Sequence, residues 1–133
     1  MLSHTHLGVS DLQRAVAFYS VLMDQLGLVL KFHDPAAGWA GWMQPGQPRP
    51  LFLIGRPFDG GAPHPGNGTM VALLAADRST VVACHSAALA AGGSDEGAPG
   101  LRPHYHPHYF GAYVRDPDGN KLCICCHDPV ADS

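Results

Sequence analysis

Two histidines, His4 and His6, sit near the start of the chain in an otherwise apolar, strand-like stretch, HTHLGV. Successive side chains of a strand alternate between faces, so His4, His6 and Gly8 share one face while Thr5, Leu7 and Val9 share the other. The first set has the types of a site, because imidazoles ligate metals and exchange protons near neutral pH; the second set is core. Near the far end, KLCICCH repeats the alternation with thiols: Cys123, Cys125 and His127 stand opposite Leu122, Ile124 and Cys126. Free cysteine is ordinarily a small buried apolar group. As a nucleophile it needs a cationic neighbour to lower its pKa, and His4 is the candidate for Cys123.

A third imidazole cluster lies in RPHYHPHYFG, where His104, His106 and His108 alternate with aromatic residues and a proline. Such tracts can bind metal, but the interrupting proline and the aromatic neighbours favour a loop at a pocket mouth. Trp39, Trp42 and Phe52 offer flat apolar surface for a planar ligand. Three positions apart, the two tryptophans fall on opposite faces of one strand, so one looks toward a pocket and the other into the core or a subunit contact.

These residues need a scaffold, and the hydrophobic periodicity supplies one twice. Ser10 and Gln13 have the spacing of a capping box, and Leu12, Ala15, Val16, Tyr19, Leu22, Met23 and Leu26 recur at helical spacing until Gly27. LVLKFH, GWAGWM and LFLIG follow as extended stretches broken by DPAAG and QPGQPRP. The order β-α-β-β-β then recurs. GTMVALLAA reads as a strand, Asp77 caps a helix through Val81, Val82, Cys84, His85, Ala88 and Leu89, and Gly92-Gly93 stops it. A Pro/Gly-rich loop, YFGAYV, a turn at DPDGN and KLCICC complete the copy; the turn itself carries no chemistry. A shift of 66 positions lays Asp11 on Asp77 and His4 on Met70. The expected organisation is one α+β domain of two βαβββ modules, about 1–57 and about 68–128, joined by a linker at about 58–67. If the sheet curls into a cup, His4, His6, Met70, Cys123 and Cys125 line it.

Composition narrows the partners. A chain of 133 residues with 46% hydrophobic and 14% charged residues buries one core. The net charge of −3 comes without a basic block, which argues against nucleic acid and anionic membrane surfaces. No apolar run approaches the roughly 20 residues of a bilayer span, and the N-terminus lacks a signal-peptide layout. The four cysteines are better read as free thiols than as disulfides, which points to the cytoplasm.

HTHLGVSDLQRAVAFY, GTMVALLAADRSTVVACHSAALAAGG and YFGAYVRDPDGNKLCICCH together resemble the glyoxalase/bleomycin-resistance/extradiol-dioxygenase group, the vicinal oxygen chelate superfamily. The resemblance runs over nearly the whole chain and implies paired βαβββ modules, a curved mixed sheet with a cup-shaped pocket, and homodimers in which modules pack side by side. It also implies a divalent metal held from the first and fourth strands of each module, acting as a Lewis acid on two adjacent substrate oxygens. On those positions stand His4, a good imidazole ligand; Phe52, which cannot ligate; Met70, where many relatives carry histidine; and Cys123, where many carry glutamate. Thiolate, imidazole and thioether together favour copper(I), or zinc without the thioether, so zinc or another soft ion is expected over magnesium.

Two functions follow as expectations. One is a lyase, isomerase or dioxygenase acting on a small oxygenated substrate at a metal held by His4, Cys123 and Met70. The other is a metal-free binder of apolar or aromatic molecules, as in the drug-sequestering branch, with His4, His6, Phe52, Met70, His106 and Cys125 shaping the pocket.

Overall fold

The computed structural model describes residues 1–130. The first module runs β1 (His4–Gly8), α1 (Leu12–Leu26), β2 (Val29–Asp34), β3 (Trp39–Met43) and β4 (Leu51–Gly55). The second runs β5 (Val71–Leu74), α2 (Arg78–Ala90), β6 (Ser94–Leu101), β7 (Phe110–Arg115) and β8 (Lys121–Cys126). Each module has its own four-stranded mixed sheet, in the orders β1-β4-β3-β2 and β5-β8-β7-β6. In both, the first and last strands pair in parallel and the rest pair antiparallel. The duplication therefore holds strand for strand.

The helices begin on aspartates at equivalent positions. Asp11 accepts from the Arg14 backbone N–H, and Asp77 accepts from that of Thr80. The expected Ser10 cap is thus one residue early. Ser10 instead gives both its backbone N–H and its hydroxyl to Asp118 across the module boundary, at 3.1 and 2.6 Å. Gly27 ends α1 in the left-handed region at φ 72°, donating back to Asp24 and Met23. β6 lies in the Gly/Pro-rich stretch read as a loop. Its pairing with β7 slips register twice, which is how a strand accommodates SDEGAPGL.

One core serves both modules. Phe18, Tyr19, Leu22 and Met23 of α1 are fully buried together with Val81, Cys84 and Ala88 of α2, and Leu7, Val9, Trp42, Ile54, Leu122, Ile124 and Cys126 close it from the sheets. Each large apolar side chain so buried contributes about 1.5–3 kcal/mol relative to exposure. The helices lie against each other, which leaves the opposite face of each sheet open.

Candidate functional site

The open face of the first sheet carries His4 and His6. β1 pairs with β4 in the register His4 to Leu51, Thr5 to Phe52, His6 to Leu53 and Leu7 to Ile54. Residues paired this way share a face, so Leu51, Leu53 and Gly55 lie beside the histidines. Phe52 was expected on this face and is on the other. Its ring packs 5.2 Å from Tyr19 and 6.4 Å from Trp42 in the core. LFLIG is apolar at every position, so its composition carries no phase; the pairing with β1 decides it.

Over that face lies a cleft of about 540 Å³, within the range of small-molecule sites. His4 and His6 form its floor, Trp39 and Arg56 one wall, and Phe58 and His64 of the linker the other. The linker reaches β1 because Gly8 has no side chain: a Cβ there would stand 3.2 Å from Pro63 and 3.4 Å from Pro57. The two tryptophans divide as their spacing requires. Trp42 is buried under α1, whereas Trp39 is 41% exposed and packs against Phe32, the ring centroids 4.7 Å apart and the planes tilted by 59°. Burial, and secondly the neighbouring His4, hold His6 below the ordinary imidazole pKa. His4 accepts from or donates to the Ser3 hydroxyl at 2.9 Å.

The second sheet presents a different surface. A cleft of about 530 Å³ is lined by Met70, Tyr105, Tyr109, Tyr113, Arg115 and Lys121. Beneath the tyrosines a chain of polar side chains crosses the sheet. Tyr113 and Tyr109 hydroxyls meet at 3.0 Å, Tyr109 meets Cys123 Sγ at 3.3 Å, and Cys125 Sγ lies 3.6 Å from His127 Nε2. His127 Nδ1 in turn faces His106 Nε2 at 2.8 Å. Hydrogen bonding from Cys125 lowers the Cys123 thiol to about 6, aided by Tyr109, Tyr113 and the charge of Arg102 and opposed by burial. The same contact raises Cys125. The cationic neighbour of Cys123 is therefore Arg102, which lies over the Tyr113 ring at 5.5 Å, rather than His4. Composition marked these groups, but only β7–β8 pairing, with Tyr113 opposite Cys123, places the tyrosines on the thiol.

Within one chain the residues considered for a soft metal do not converge. His4 belongs to the first cleft, Met70 to the second, and Cys123 is buried under Tyr109. Among the described residues no three His, Cys, Asp or Glu side chains come together to hold an ion. Cys125 lies on β8 and His106 in the loop between β6 and β7, both away from His4 and His6.

The family model of the Glyoxalase/Bleomycin resistance protein/Dioxygenase superfamily matches residues 1–124. Among solved structures, a glyoxalase/bleomycin resistance protein from Albidiferax ferrireducens T118 is 32% identical, with a TM-score of 0.83 over 96% of this chain and 99% of that one. A glyoxalase-related enzyme from Fulvimarina pelagi is 20% identical, with a TM-score of 0.70 over 95% and 87% of the two chains. A glyoxalase/bleomycin resistance protein/dioxygenase family enzyme from Burkholderia phytofirmans PsJN is 16% identical, with a TM-score of 0.71 over 95% and 98%. Both of these share the fold. No curated protein matches the chain. With its family model spanning both modules, and a relative alike from end to end, the chain belongs to the glyoxalase/bleomycin resistance protein/dioxygenase superfamily.

Proposed function

We propose that this chain is a small-molecule-binding member of the superfamily that works without a tightly held metal, its ligand lying in the cleft over β1. The observation that supports this reading is the division of the polar groups. His4 and His6 share a roomy cleft with Trp39 and Phe58, while the soft donors Cys123 and Met70 belong to the other sheet. A metal-dependent lyase, isomerase or dioxygenase needs its ligands on one ion with open positions for substrate. Within one chain His4 stands apart from Cys123 and Met70, so such a site would need donors from a partner subunit.

The proposed setting is a cytoplasmic homodimer. β1 and β5 each stand at a sheet edge with one side unpaired, and Leu2, Met70 and Leu74 are exposed near them. Pairing of two copies there would cover both edges. Sedimentation showing a monomer throughout the micromolar range would remove this part of the proposal.

The test of function is elemental analysis of untagged, chelator-free protein beside an identically prepared Cys123→Ser variant, with thermal shifts on adding zinc or magnesium. Absence of metal in both, no shift with either ion, and calorimetric binding of aromatic probes are expected. Near-stoichiometric metal that the variant loses would overturn the metal-free reading and restore the metal-dependent enzyme.

A further inference from the structure

The cleft over β1 carries one fixed cation, Arg56, and no anion. Arg56 and three imidazoles, those of His4, His6 and His64, line it, and no lining residue is an aspartate or glutamate. The nearest carboxylates in sequence serve their own turns: Asp34 accepts from the Ala37 N–H at 3.1 Å, and Asp59 from that of Gly61 at 2.9 Å. The Arg56 guanidinium has no ion-pair or side-chain hydrogen-bond partner among the described residues. Its position is nevertheless set. The Arg56 backbone N–H bonds Gly38 O at 3.1 Å, and its side chain lies across Gly38, where a Cβ would come within 3.0 Å of Cδ and Nε.

Beside this free cation stands flat apolar surface. Trp39 follows Gly38 directly and is held by Phe32 on one side, and Phe58 projects from the linker opposite. A guanidinium fork matches a carboxylate in two parallel hydrogen bonds, and an indole wall matches a planar apolar body. Imidazole N–H groups on the floor supply further donors.

We propose that this cleft takes a small aromatic carboxylate, its anionic group on Arg56 and its ring against Trp39. The proposal rests on the small-molecule-binding reading and names the chemistry of the ligand.

The test is calorimetric titration of the untagged protein with 2-naphthoate and with its neutral isostere 2-naphthamide, repeated on an Arg56→Gln variant. Circular dichroism confirms the variant's fold. The expected result is naphthoate binding at least about tenfold tighter than naphthamide, with that preference lost in Arg56→Gln, as for a charge-assisted pair worth about 1.4 kcal/mol. Equal binding of the two probes would overturn the carboxylate assignment and leave the small-molecule reading standing. A naphthoate preference that survives in Arg56→Gln would likewise overturn it, because the anion would then be held elsewhere. No binding of either probe would overturn both.

Discussion

The Tyr19 hydroxyl on α1 donates a 2.6 Å hydrogen bond to Oδ2 of Asp116 in the β7–β8 turn, joining the two modules inside the core. Asp116 is 3% exposed and also receives the backbone N–H groups of Asp118 and Asn120 and the Asn120 side-chain amide. Asn120 passes the connection on by donating to Gly8 O at 2.9 Å, at the end of the strand that carries His4 and His6. DPDGN, a mere turn by its local signals, is a clamp between modules.

Tyr19→Phe removes one bond to a buried carboxylate without opening a cavity. Such bonds contribute about 1.5–3 kcal/mol. Urea unfolding should show the midpoint falling by a corresponding amount at unchanged slope. An unshifted midpoint would mean that the clamp does not hold the modules together.

The same bond predicts an alkaline response. Burial, then the charge of Asp116, raise the Tyr19 pKa well above its ordinary value of 10. The folded state therefore keeps the phenolic proton more tightly than the unfolded chain does. That contribution is complete below the unfolded value and is lost as pH rises through the folded one. Above about pH 10 the wild type should lose stability faster than Tyr19→Phe, narrowing the gap between their urea midpoints; a gap constant with pH would contradict the assignment.

At Asp77 the sign is reversed. Hydrogen bonds from the Thr80 hydroxyl and backbone, and from Ser79, lower its carboxyl pKa below 3.8. Its stabilisation is present above the unfolded pKa and is lost as pH falls through the folded value. Asp77→Ala should therefore lower the melting temperature clearly at neutral pH, with the difference shrinking as pH falls from about 5 to about 2.

How much of this was legible in the sequence depends on whether a residue's own neighbours decided its place. Alternation put Leu7 and Val9 in the core opposite His4 and His6, because polar and apolar residues alternate visibly there. Helical periodicity found both helices. It missed the α1 cap by one residue because Ser10 and Asp11 are both good caps, and the choice was made by Asp118 far along the chain. Phe52 was assigned to the wrong face because LFLIG lacks alternation. The Tyr109–Cys123 contact and the separation of His4 from Cys123 are properties of sheet pairing, which no local pattern carries.

Cys123 offers a spectroscopic prediction. Its thiol is lowered to about 6, first by Cys125 and then by the Tyr109 and Tyr113 hydroxyls. A thiolate absorbance missing in Cys123→Ser should therefore titrate near pH 6 in the wild type. Tyr109→Phe removes a donor to the thiolate and should move that titration upward. No movement would remove Tyr109 from the groups that hold the thiolate and leave Cys125, Tyr113 and Arg102.

Gly55 tests whether the cleft depends on the close approach of β3 to β4. A Cβ on Gly55 would stand 2.9 Å from Trp39 Cβ, 3.1 Å from Gly38 O and 3.1 Å from His6 Nε2. The first two neighbours are a Cβ and a backbone atom, which cannot swing aside, so Gly55→Ala must displace Trp39 or the β2–β3 turn that carries Arg56's partner Gly38. Overpacking of this kind costs about 1–3 kcal/mol. Because the strain falls on the wall of the cleft, 2-naphthoate binding should weaken in a variant whose circular dichroism and oligomeric state are unchanged. Undiminished binding would place the ligand away from Trp39 and His6, whatever the variant's stability.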